Sequence, residues 1–276
     1  MSTVTLGSKD PIDLYVEDSG GDGRPVVLIH GWPLTADAWA DQVPALVDAG
    51  HRVITYDRRG FGRSDSGDAY DYDALSGDLD VLLNHLDLRG AVLVGFSMGG
   101  GEVARQLGTR GDDRLAGVVF AAAVPPYLEA TADNPDGPLD DVAIKEMKTG
   151  LADDPDGFYD QFTTDFFTAD GEVRVSEAKR TKAVEMAGQA DLDAALACID
   201  SFARTDFRDD LSLVRIPTLV IHGDADEIVP LEASGARTHE ALPNSRLHVV
   251  EGGPHGINVS HPDEFNRALL DFIDGL

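Results

Sequence analysis

The sequence predicts an α/β fold: a mostly parallel central sheet, helices on both of its faces, and a helical lid inserted late in the chain. Three observations carry that expectation. Short continuous apolar runs, of the kind buried on both faces of a sheet, alternate with stretches of helical periodicity. One such run, Ala91-Val92-Leu93-Val94, leads into Gly95-Phe96-Ser97-Met98-Gly99 and then into the helical stretch Gly100-Gly101-Glu102-Val103-Ala104-Arg105. The alternation breaks between about Val124 and Leu213, where the pattern is helical.

The first strand is expected over Ile12 to Asp18, followed by a turn at Ser19 to Gly23. Further strands are expected at Pro25 to His30, Arg52 to Tyr56, Ala91 to Val94, Leu115 to Ala123, Thr218 to Ile221 and Arg246 to Val250. Between them, Tyr72 to Leu88 sets Leu75, Leu79, Leu82, Leu83 and Leu86 at helical spacing, and Phe265 to Ile273 closes the chain as a helix. Within the break, Asp133 to Pro138 and Asp153 to Gly157 read as acidic, proline-containing loops, and Leu192 to Phe202 as a helix. Helices inserted between two strands at the carboxyl end of a parallel sheet read as a lid over a site. The chain is thus divided into a first core part, 1–124, a lid, 125–213, and a second core part, 214–276.

At 276 residues and 42% hydrophobic content, the chain can bury a real core. Met1 to Asp10 has no basic head and no apolar run, so no signal peptide is expected. No segment approaches the ~18 apolar residues of a membrane helix. A cytoplasmic protein is the expectation. Cys198 is the only cysteine, which leaves no intrachain disulfide and no cysteine-based metal site. The formal net charge is -28, and the lysines are only Lys9, Lys145, Lys148, Lys179 and Lys182. Such a field repels nucleic acid and anionic membrane, so neither is an expected partner. So many carboxylates are expected at the surface. The pattern suggests a halophilic protein, with the acidic proteome of a high-GC genome as the alternative.

Strand, Gly-x-Ser-x-Gly, helix is the context of a nucleophile elbow. A Cβ at Gly95 or Gly99 would collide with the adjoining strand or helix, and the helix N-terminus below Ser97 favours negative charge. A serine nucleophile needs a base and an acid that orients the base, in the chain order Ser, acid, His. Two strand ends supply candidates: His222-Gly223-Asp224-Ala225-Asp226 and Gly253-Pro254-His255-Gly256. Asp226 lies further into its loop than Asp224 and is the favoured acid. Asp224 is placed to bond backbone N–H groups of the turn. His255 is the favoured base, because its flanking glycines let the loop approach Ser97. His222 reads as part of the turn that holds the acid, and His30 as a buttress of the loop His30-Gly31-Trp32-Pro33-Leu34. An oxyanion hole needs two backbone donors, expected at Met98 and Trp32. Trp32, Phe96, Ile228, Ile257, Phe158 and Phe162 are expected to leave a small apolar pocket, with Phe166 on the same helical stripe. The stretch Tyr56 to Asp65 is glycine-rich and basic but lacks the Gly-Lys-Ser/Thr of a phosphate loop, so it reads as structural. No spaced His/Cys set supports a metal.

These motifs resemble the cofactor-free haloperoxidase and arylesterase branch of the α/β-hydrolase superfamily, also called non-haem chloroperoxidases or perhydrolases. The resemblance rests on His30 to Leu34, Tyr56 to Gly62, Gly95 to Arg105, His222 to Asp226 with Ile228-Val229-Pro230, Pro254 to Gly256, and the lid phrase Asp206 to Leu211. It implies an α/β-hydrolase fold, a triad of Ser97, Asp226 and His255, and an oxyanion hole from the amides of Trp32 and Met98. It implies no metal, haem or other cofactor. Its substrates would be a small ester or carboxylic acid, with water or hydrogen peroxide resolving the acyl-enzyme. A homo-oligomer is compatible with it. A C–C bond or lactone hydrolase on the same triad is the alternative within the fold. A non-catalytic, hydrolase-like binding protein is the alternative outside it, and the intact triad argues against that.

Overall fold

The computed structural model describes residues 2–6 and 12–276. Met1 and residues 7–10 of the opening stretch read for a signal peptide, Lys9 among them, lie outside the described residues. Along the described chain the elements begin β1 (Ser2–Leu6), β2 (Ile12–Asp18), β3 (Pro25–Ile29), α1 (Val43–Asp48), β4 (Arg52–Tyr56), α2 (Tyr72–His85), β5 (Ala91–Phe96), α3 (Met98–Arg110) and β6 (Leu115–Ala121). The insertion holds α4 (Asp141–Asp153), α5 (Pro155–Phe166), a short hairpin of β7 (Thr168–Ala169) and β8 (Glu172–Val173), α6 (Glu177–Ala187), α7 (Leu192–Arg204) and α8 (Arg208–Leu211). The chain ends with β9 (Thr218–Gly223), α9 (Gly235–Ala241), β10 (Ser245–Val250), α10 (Ile257–Ser260) and α11 (Pro262–Asp274).

Among the described residues the main sheet has eight strands in the order β1-β2-β4-β3-β5-β6-β9-β10. All neighbours from β4 to β10 run parallel, and β1 and β2 form the antiparallel edge. Alternation along the central strands builds two cores. Val27 and Ile29 point to the face covered by α2, α3 and the insertion, while Val26 and Leu28 point to the face covered by α1 and α11. The order reverses at β3, whose neighbours are β4 on one side and β5 on the other. Ligand sites in open parallel sheets lie at such a reversal, outside the carboxyl ends of the strands.

Three expectations shift. β1 was missed, because Ser2-Thr3-Val4-Thr5-Leu6 is too polar to read as a buried run, and it forms by pairing with β2. Asp153–Gly157 is not a loop: Asp154 caps α5 by accepting the Gly157 N–H at 3.1 Å, and Pro155 occupies its first turn. The hairpin β7–β8 was also not anticipated.

The insertion leaves after β6 and is closed at its base. The Phe207 N–H donates to the Pro126 carbonyl at 2.9 Å. Asp210 on α8 then pairs with Arg105 on α3 at 3.0 Å, so α8 belongs to the core face rather than to the roof. Within the roof, Arg204 joins Glu129, Asp141 and Asp200.

Among the described residues most carboxylates are exposed, and each buried one is paired. The buried carboxylates are Asp57, Asp78, Glu102, Asp210 and Asp226. Their partners are Arg63, Arg59, Arg58, Arg105 and His255 respectively. A buried charge without such a partner would cost several kcal/mol. The basic residues of the 56–65 loop are therefore engaged internally, in agreement with its structural reading. No helix among the described residues is long and apolar enough to cross a membrane.

Candidate active site

Ser97 sits between the end of β5 and the start of α3 with φ 52° and ψ −119°. A non-glycine residue held at positive φ is strained by about 1–3 kcal/mol and persists only where its surroundings fix it. Here a Cβ on Gly95 would stand 2.5 Å from the Gly99 carbonyl oxygen, and one on Gly99 would stand 2.6 Å from the Ile29 carbonyl oxygen. The Ser97 N–H donates to Ala121 at 2.9 Å, and its carbonyl accepts from Gly100 at 3.0 Å. Strand, turn and helix are thus packed backbone to backbone, with the hydroxyl raised above the sheet.

The register Ile29↔Gly95 sets the loop after β3 beside that elbow. Neither the Trp32 N–H nor the Met98 N–H has an acceptor among the described residues. A buried network fixes the orientation of the Gly31–Trp32 peptide. The Arg58 N–H donates to His30 Nε2 at 2.9 Å, so the ring carries its hydrogen on Nδ1, which donates to the Gly31 carbonyl at 2.9 Å. Gripping that carbonyl also orients the N–H of the same peptide, which belongs to Trp32. Burial, together with the charge of Arg58, lowers the His30 pKa to about 3, so the ring stays neutral. Arg58 in turn is held by Glu102 at 2.5 Å, and Tyr56 donates to Glu102 at 2.7 Å.

His255 reaches Ser97 from the loop after β10, across β9 and β6. Its Nε2 lies 2.9 Å from Ser97 Oγ, and its Nδ1 lies 2.7 Å from Asp226 Oδ2. The ring is held between Phe96 and Phe166, with centroids at 5.3 and 4.9 Å. The Gly256 N–H donates to the Phe166 carbonyl at 2.9 Å, which ties the loop to the insertion. Burial pushes the Asp226 carboxyl up, but the neighbouring His255 and His222 outweigh it and hold the group well below the usual carboxylate range. Asp224 is exposed and turned away. Its Oδ1 accepts the Gly252 N–H at 2.7 Å, which joins the two loops.

A cavity of about 40 Å³ opens on Ser97, walled by Trp32, Val124, Leu128, Leu139, Met147, Phe162, Phe202, Ile228 and Val229. Trp32, Phe162 and Ile228 lie where the sequence reading set them. Phe96, Ile257 and Phe158 do not line it. Phe96 packs beneath His255 and against Trp39. Ile257 is fully buried under the His255 loop in the opposite core. Phe158 stands behind the wall, stacked on Phe162 at 6.1 Å and edge-on to Trp32. The Trp32 indole N–H donates to the Ala195 carbonyl at 3.1 Å, so the insertion also holds this ring. Leu128, Leu139, Met147 and Phe202 were missed, because only tertiary folding brings these four stretches of the insertion to one point. A larger hollow, about 520 Å³, lies at the opposite ends of the strands beside Arg24, Arg52 and Arg89, away from this chemistry.

Among the described residues no group of three His, Cys, Asp or Glu side chains is arranged to hold a metal ion. Residues 24–262 match the alpha/beta hydrolase fold family. The chain is 42% identical to a non-heme chloroperoxidase of Kitasatospora aureofaciens, over 97% of this chain and 98% of that one. It is 34% identical to a bifunctional esterase/perhydrolase of Acinetobacter calcoaceticus, over 96% and 98%. The crystal structure of a bromoperoxidase from Bacillus anthracis superposes with a TM-score of 0.95 at 52% identity, covering 99% of this chain and 100% of that one.

Proposed function

We propose, from the premise that this chain belongs to the α/β-hydrolase fold family in the branch of the non-heme chloroperoxidases, that it is a serine hydrolase of small carboxylic esters with perhydrolase activity. One observation carries the reading. A single imidazole bridges a strained serine and a buried carboxylate at 2.9 and 2.7 Å, beside two backbone N–H groups without acceptors.

In this reading Ser97 Oγ attacks the ester carbonyl as its proton passes to His255 Nε2. The N–H groups of Trp32 and Met98 stabilise the oxyanion, and Asp226 stabilises the imidazolium. The proton leaves with the alcohol, and the acyl group remains on Oγ. Water then attacks to give the carboxylic acid, or hydrogen peroxide attacks to give the peracid. In either case His255 takes the attacking proton and returns it to Ser97. The peracid transfers one oxygen to halide in solution, forming hypohalous acid and regenerating the carboxylate. No metal or haem enters any step.

Dialysis against a chelator is therefore expected to leave p-nitrophenyl acetate hydrolysis intact. Bromination is expected only when hydrogen peroxide and an acyl donor, ester or carboxylic acid, are both supplied. Bromination in a buffer free of ester and carboxylate, or its loss on chelation, would sink the peracid route. Preference for a lactone or a C–C substrate would move the enzyme to the alternative chemistry on the same triad.

The cavity supports short acyl groups, since it has room for only a few heavy atoms. Phe162→Ala removes one wall. It is expected to raise kcat/KM for hexanoate over acetate esters about 10-fold or more, at the scale of a methylene accommodated in an apolar pocket. An unchanged ratio would show that Phe162 does not limit chain length. The partners in this reading are the ester or carboxylic acid and hydrogen peroxide. The net charge of -28 opposes nucleic acid and anionic membrane. A cytoplasmic location is part of the proposal, and cell fractionation tests it.

A further inference from the structure

Resting on the proposed triad, we infer that His222 is a positioning residue that holds the Asp226 carboxylate in place beside the oxygen that meets His255. His222 stands near the end of β9 and is fully buried. Its Nε2 lies 2.8 Å from the Val229 carbonyl oxygen. A carbonyl can only accept, so Nε2 carries the hydrogen. The same nitrogen lies 3.2 Å from Asp226 Oδ2.

The carboxylate is hemmed at both oxygens. Oδ1 takes the N–H groups of Ile228 and Val229 at 2.9 and 2.8 Å. Oδ2 lies 2.7 Å from His255 Nδ1, and His222 Nε2 stands 3.2 Å from the same oxygen with its hydrogen given to Val229. Asp226 therefore cannot turn without giving up a backbone bond or its bond to His255, and the polar edge of His222 closes the space beside Oδ2. Val229 is gripped twice, its N–H by Asp226 and its carbonyl by His222. Since Val229 also walls the cavity, His222 locks acid and wall into one unit.

The other ring nitrogen sharpens the argument. His222 Nδ1 is buried and has no hydrogen-bond partner. It backs onto Gly235, where an added Cβ would stand 2.5 Å from it. An orphaned buried polar atom is destabilising. An apolar side chain of similar size would fill this space without that penalty. The polar function of the ring is therefore concentrated at Nε2, where it meets the acid.

The test uses His222→Leu, His222→Gln and Gly235→Ala, assayed with p-nitrophenyl acetate alongside thermal melting. His222→Leu is expected to lower kcat about 10- to 100-fold with KM within about twofold, the scale of a small misplacement of a catalytic group. His222→Gln can return an N–H to the Val229 carbonyl beside Asp226 and is expected to recover most of kcat. Gly235→Ala pushes the ring from behind without touching the triad, and is expected to lower kcat in the same direction. Wild-type kcat in folded His222→Leu, or an equal loss in the Gln variant, overturns the inference. If His222→Leu does not fold, wild-type kcat in Gly235→Ala overturns it instead. Absence of esterase activity in the wild type would fail the triad reading itself, whereas an active wild type indifferent to His222 fails only this one.

Discussion

Ser97→Ala is expected to lower kcat for ester hydrolysis by about 10³-fold or more while leaving the melting temperature near or above that of the wild type. The hydroxyl is the only atom lost, and its neighbours on the backbone keep their bonds. The lost step is the covalent one, because no other hydroxyl lies within hydrogen-bond distance of His255 Nε2. Asp226→Asn is expected to be of similar severity, about 10⁴-fold, because an amide that keeps the backbone bonds at Oδ1 presents an N–H toward His255 and favours the wrong tautomer. Asp224→Asn separates the two candidate acids. Asp224 bonds only the Gly252 N–H across the loops, so its variant is expected to keep kcat within about twofold and to lose about 1 kcal/mol of stability. Steady-state kinetics on the three variants decide the assignment. A well-folded Asp224→Asn with no kcat, beside an active Asp226→Asn, would reverse it.

Glu102→Ala is expected to be the most destabilising single change, about 3–5 kcal/mol, seen as a melting temperature lower by about 10 °C. Glu102 and Arg58 are both fully buried and lie 2.5 Å apart. Burial pushes the Glu102 carboxyl above its ordinary value, against the pull of Arg58 and Tyr56. Removing the carboxylate leaves a guanidinium inside the protein with the His30 carbonyl as its remaining acceptor and the Phe61 ring beside it. The same loss loosens the His30 grip on the Gly31 carbonyl, so kcat is expected to fall with stability. Glu102→Gln keeps shape and acceptor and is expected to lose less of both. A melting temperature unchanged in Glu102→Ala would mean that the pair contributes nothing net.

Much of this was legible in the sequence. The elbow declares itself locally at Gly95, whose need is a contact with Gly99 and Gly100, whereas the need for Gly99 is set by the distant Ile29 on β3. Asp226 and His255 were legible because both follow apolar runs and stand in glycine-flanked or acidic loops. What local pattern cannot carry is the approach of elements from different parts of the chain. His222 looks like one more turn residue until the strand end folds back on Asp226. Phe96 looks like a pocket residue because it precedes the nucleophile, yet the pleat turns it under His255. The cavity wall was legible only at Trp32, Phe162 and Ile228, since Leu128, Leu139, Met147 and Phe202 converge from separate segments of the insertion.

The hydrogen bond between Phe207 and Pro126 has a consequence for descent. It staples the two ends of a roughly eighty-residue excursion at one point, and α8 alone then makes the crossover from β6 to β9. No strand of the main sheet comes from what lies between. Ser97, Asp226, His255, His222 and both unoccupied backbone donors stand outside that excursion, while half of the cavity wall stands inside it. Reactivity and taste are therefore inherited largely on separate stretches of one gene, joined where Phe166 grips the His255 loop and Ala195 holds the Trp32 ring. A lineage that keeps those two joints can lengthen, trim or exchange the rest of the roof, and so change what it digests, while the bond-breaking apparatus beneath is passed on.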